Sequence, residues 1–103
     1  MMNQLKRKPE RDENLAVSRF MDAIQADARI TPYHVSLFAA IVHYKQTHGC
    51  ASRIFAFSYD LMPLAKISSV ATYHKCVRDL HDFGYIDYEA SFNRFTGSKI
   101  ILK

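Results

Sequence analysis

Apolar positions fall at helical spacing in some stretches of the chain and at strand spacing in others. Together they predict the order helix, helix, short strand, short helix, turn, long helix, strand, loop, strand. The first helix is expected over Asp12–Ala26, with a weak stripe in Ala16, Phe20, Ala23 and Ile24, continued by Ala28, and with acidic residues in its first turn. The second has a stronger start signal: Thr31 can cap, Pro32 suits the first helical position, and Val35, Phe38, Ala39, Ile41 and Val42 build a broad apolar face before Gly49. "RIFAF", Arg53–Phe57, is too short for a helix and rich in Ile and Phe, so it reads as a strand. Ser58 offers another N-cap ahead of a helix of about two turns, whose regularity Pro63 limits.

The stretch "ISSVATYHKCVRDLHDFGYI", Ile67–Ile86, reads as a complete helix with a cap at Ser68 or Ser69 and a stop at Gly84. Its apolar stripe is Val70, Tyr73, Val77 and Leu80, with Phe83 beyond, and this face must be covered by other elements. The opposite face carries Ala71, Thr72, Lys75, Arg78 and Asp79 and is left to solvent. "YIDYEA" alternates behind it, "SFNRFTGS" has turn chemistry, and "KIILK" alternates weakly, which predicts a β-hairpin with a longer loop.

A length of 103 residues, 49% of them hydrophobic and 13% aromatic, is enough for one packed core. The organisation expected is a flexible basic tail over residues 1–11 and one domain over 12–103. No apolar run is long enough to cross a membrane, and no apolar segment follows the first basic residues, which predicts a cytoplasmic protein. Cys50 and Cys76 stand apart without a CxxC pattern and are expected to be reduced. The net charge of +4 is modest, but its distribution says more than its size. No acidic residue occurs between Asp27 and Asp60 or between Asp60 and Asp79, whereas Arg29, Lys45, Arg53, Lys66, Lys75 and Arg78 fall inside those gaps.

Two helices joined by a short turn, the second with a polar exposed face, suit one helix crossing a phosphate backbone while the other enters the major groove. With a short strand before the pair and a hairpin after it, the chain from Thr31 to Lys103 resembles the winged helix-turn-helix superfamily. The ending of the long helix, Leu80, Gly84 and Ile86, carries the likeness, which is to small bacterial regulators or mobile-element proteins. The resemblance implies an α+β winged helix: a three-helix core, an extra N-terminal helix, and a small antiparallel sheet with a wing hairpin. It makes Ser58–Ala65 the supporting helix, Ser68–Phe83 the recognition helix and Ser91–Ser98 the wing.

In that frame Ser68, Ser69 and Thr72 contact phosphates or base edges through their hydroxyls, beside Ala71. Lys75 and Arg78 neutralise phosphates or reach guanine, and Arg94, beside Asn93, enters a minor groove. The plainer alternatives are that the hydroxyls only cap the helix and that Arg78 pairs with Asp82. Asp79, Asp82, Asp87 and Glu89 put negative charge on the far end of the helix and the first hairpin strand, so contact would depend on the N-terminal half of the helix. The partner expected is duplex DNA, bound as a possible homodimer through the first helix or the hairpin aromatics. The alternative is a winged helix used for protein contacts, through Tyr33, Tyr44, Tyr85, Tyr88, Phe92 and Phe95.

Nothing in the pattern suggests catalysis or a cofactor. His34, His43, His48, His74 and His81 form no HExxH, and His74 and His81 stand roughly 10 Å apart along a helix. Cys76, beside Val77, reads as a small buried residue, and the only three glycines form no phosphate loop. The chain is therefore expected not to be an enzyme, to hold no metal and to take no small-molecule substrate.

Overall fold

The computed structural model describes residues 8–49, 53–91 and 95–103, with side chains from residue 15 onward. Within these, the elements are α1 (Lys8–Ile24), α2 (Pro32–Thr47), β1 (Ile54–Ala56), α3 (Ser58–Ala65), α4 (Val70–Asp82), β2 (Ile86–Glu89) and β3 (Ser98–Leu102). The fold is α+β, with a small antiparallel sheet in the order β1-β3-β2. Ile54 of β1 faces Ile100 of β3, and β2 pairs with the other side of β3 from Ile86↔Leu102 to Glu89↔Lys99.

Local chemistry accounts for most element ends. α1 reaches back to Lys8, where a tail through residue 11 was expected, because Pro9 falls in the first turn and no intrahelical bond needs its missing N–H. It stops at Ile24, leaving Ala26 and Ala28 outside the helix. α2 starts as expected, with Thr31 extended ahead of Pro32, and the His34 ring completes the cap by accepting the Thr31 N–H at Nδ1, 2.9 Å away. The cap of α3 is shifted by one residue. Phe57, not Ser58, is the N-cap, and Asp60 accepts its backbone N–H at 2.9 Å. The helix runs through Pro63 and ends at Lys66, which takes the left-handed conformation (φ 60°) while Ile67 N–H bonds back to the Met62 carbonyl.

The core is built around α2. Leu37 and Ile41 from α2, Leu61 from α3, Val77 and Leu80 from α4, and Ile54, Ile86 and Ile100 from the sheet are fully buried together. Phe20 of α1 stacks flat on Phe38 of α2, with ring centroids 3.9 Å apart. Ala39, expected in the core, is exposed, and Leu37 and Ala40 occupy the interior instead. The α1–α2 connection is fastened to the far end of α4: Arg29 forks onto Asp27 at 2.8 Å and lies 3.9 Å over the Phe83 ring, and Tyr85 donates its hydroxyl to Asp27 at 2.6 Å.

Candidate nucleic-acid interface

α4 is set by its cap and its core contacts. Ser69 is the N-cap, and its hydroxyl accepts the Thr72 N–H at 3.2 Å, so the helix proper is Val70–Asp82 rather than Ser68–Phe83. Tyr73, Cys76, Val77 and Leu80 form its buried side. Val70, expected in that stripe, is 55% exposed instead, and Cys76 completes the interior face. Burial in this apolar setting pushes the Cys76 thiol up from its ordinary value, which suits an inert core residue.

The outer face is where the predicted site residues meet. Ala71, Lys75 and Arg78 recur at helical spacing and are all exposed, with His74 among them. Among the described residues Arg78 makes no ion pair, so the expected alternative with Asp82 is not formed. Ser68 is exposed in the turn before the cap. Ser69 is committed to that cap and Thr72 is half-buried, so the hydroxyls are less open than the two cations. Asn93 and Arg94 lie outside the described residues.

Sequence patterning missed the partner of Asp79. Its Oδ2 lies 2.9 Å from Nε2 of His34, a ring only 4% exposed on α2, and 3.0 Å from Nζ of Lys75. Because Nδ1 of His34 accepts from Thr31, Nε2 carries the proton and donates to the carboxylate. Burial by itself would raise the Asp79 pKa, but the hydrogen bonds from His34 and Lys75 outweigh it and hold the carboxyl below its ordinary value. Asp79 is thus a largely covered tether from α4 to α2.

The acids of β2 are also neutralised. Glu89 meets Lys99 at 3.0 Å, its partner in the strand register, and Asp87 meets Lys103 at 3.4 Å. Of the four carboxylates that weigh against an anionic partner in the sequence, only Asp82 is exposed without an ion pair among the described residues. His81 ties the end of α4 to the sheet, its Nδ1 accepting the Tyr88 N–H at 3.0 Å.

Apolar surface lies on the other side of the turn. Tyr59, Met62, Pro63 and Ile67, with Lys66 and Ser68 at the rim, line an open groove of about 610 Å³, and Tyr59 is 69% exposed. Phe95, beside the hairpin loop, is exposed, Tyr85 and Tyr88 are half-buried, and Phe92 lies outside the described residues. No group of three or more His, Cys, Asp or Glu among the described residues is placed to hold a metal ion, and no helix is long and apolar enough to cross a membrane. Comparison of the chain with protein-family models, curated proteins and solved structures found no match.

Proposed function

We propose that the chain is a winged helix-turn-helix protein that binds duplex DNA, with α4 in the major groove and the β2–β3 hairpin as the wing. The observation that carries this reading is the outer face of α4: Lys75 and Arg78 are exposed one helical turn apart, while Asp79 beside them is largely covered and held between His34 and Lys75. A groove walled by phosphates attracts such a face, and a carboxylate directed at it would repel. Two further features support it. α3 and α4 are joined by a short turn, and β2 follows α4 directly, with its Tyr88 N–H bonded to His81 near the end of that helix. The role that fits is transcription regulation, or an accessory function in replication or in a mobile element. With one such helix per chain, a two-fold site bound by two copies is the natural arrangement, and α1 offers exposed Leu15 and Met21 for the pairing.

Fluorescence anisotropy of a labelled mixed-sequence duplex, titrated at about 50 and 200 mM salt, tests the reading. Contact with three or four phosphates predicts a loss of affinity on the order of 40- to 150-fold between those conditions. Absence of binding at the lower salt would overturn it. The groove beside Tyr59 favours a second reading, a domain that docks protein partners, and that outcome would move the weight there.

A further inference from the structure

If α4 enters a major groove, the chemistry of its first turn restricts what it can read. Lys75 and Arg78 lie one and two turns into the helix, where they suit phosphates or a guanine edge. Ahead of them on the helix the exposed apolar side chains are Val70, 55% accessible, and Ala71, with Ser68 and Ser69 exposed in the turn before it. Of the nearest hydroxyls, Ser69 accepts the Thr72 N–H and Thr72 is half-buried, which leaves Ser68 in the preceding turn as the open one. Val70 contributes nothing to the core, which Tyr73, Cys76, Val77 and Leu80 fill without it. The first turn of the helix therefore shows methyl groups to solvent, Ala71 on the side of Lys75 and Arg78 and Val70 at the edge of the buried side. Of the groups on the major-groove edges of the base pairs, one is apolar, the C5 methyl of thymine.

We propose that Val70 and Ala71 are specificity-determining residues that pack against thymine methyl groups, so that the protein prefers sites with thymine under the first turn of α4. The cations supply the charge complementarity that brings this turn to the bases, and the apolar pair selects among them. This inference rests on the DNA reading above, and its test separates the two.

Duplexes enriched by the full-length protein from a randomised pool are rebuilt with deoxyuridine in place of thymine, one position at a time, which removes the methyl and leaves the pairing edge intact. At one or two positions the substitution should weaken binding about fourfold each, the worth of one buried methyl. Val70→Ala should bind the thymine and uracil duplexes more nearly alike, and its unchanged thermal midpoint would show that the fold is intact. Equal affinity of the parent protein for thymine and deoxyuridine at every position overturns the inference and leaves DNA binding standing. So does discrimination that survives in Val70→Ala and Ala71→Ser together. Failure to enrich any duplex, with no binding at low salt, removes the DNA reading and this inference with it.

Discussion

Nε2 of His34, on α2, donates to the Asp79 carboxylate on α4 across 2.9 Å, while Nδ1 of the same ring accepts the Thr31 N–H that opens α2. One buried side chain therefore caps one helix and fixes the rotation of another. Replacing it should affect both stability and the charge on the outer face. His34→Ala leaves the Thr31 N–H and Asp79 without this partner and is expected to cost about 1–3 kcal/mol by chemical denaturation. It should also weaken DNA binding, because Asp79 is then free to turn toward the phosphates. A variant as stable as the parent would show that the bond does not hold the two helices.

The two exposed cations should behave differently from His34. Lys75→Ala and Arg78→Ala sit on the solvent side, so stability should change by no more than about 0.5 kcal/mol. Each should weaken duplex binding, and each lost phosphate contact should lower the slope of log affinity against log salt by about 0.9. Binding by either variant equal to the parent's across the salt range would remove that residue from the interface.

Acid should expose the tethers. Asp79 is held below its ordinary value because hydrogen bonds from His34 and Lys75 outweigh burial, and Asp27 because of the Arg29 fork and then the Tyr85 hydroxyl. A carboxyl whose folded pKa lies below its unfolded value of 3.8 contributes fully above that pH and loses its contribution as pH falls through the folded value. These two groups therefore leave stability level near neutrality and steepen its fall below about pH 4. Asp79→Asn should make that acid limb shallower. Denaturation midpoints of variant and parent that run parallel in acid would contradict the assignment.

Gly97 precedes β3 at φ 72°, and a Cβ built there would stand 2.9 Å from the backbone of Ala56 in β1. Neither the left-handed conformation nor the contact with main-chain atoms can be relieved by moving a flexible side chain. Gly97→Ala is expected to cost about 2 kcal/mol or more, since the conformation alone is worth about 1–2 kcal/mol. Loss of the β1–β3 amide protection in hydrogen exchange, with the α2 amides spared, would locate the damage. Parent-like stability would mean that the hairpin root can move away from β1.

What the sequence makes legible is whatever is decided within a few residues. Thr31 with Pro32, Gly84, and the alternation in "YIDYEA" and "KIILK" announce element ends and types through local rules, and the order of elements follows. The exposure of Val70 is not legible there because periodicity describes which residues share a helix side, not which of them another element covers. The pairing of the acids escapes the sequence for a different reason. Asp79 accepts from His34 on another helix as well as from Lys75 one turn away, Glu89 meets Lys99 through the strand register and Asp87 meets Lys103 just beyond β3, so most of these partners are distant in sequence. His34 carried one local hint, its position three residues after a capping threonine, which makes it a candidate for the reciprocal half of a capping box.

The strand order β1-β3-β2 also governs when the sheet can form. β1 and β2 share no hydrogen bonds with each other, and each finds its partner in β3, the last of the elements described. Ile54 has to wait for Ile100, and a chain emerging from the ribosome carries two unpaired strands until synthesis passes Ser98. β2 meets β3 across the short hairpin connection, whereas β1 closes on β3 over a long stretch of chain, the slow kind of event in folding, while the helices around Leu37 and Leu80 can gather early.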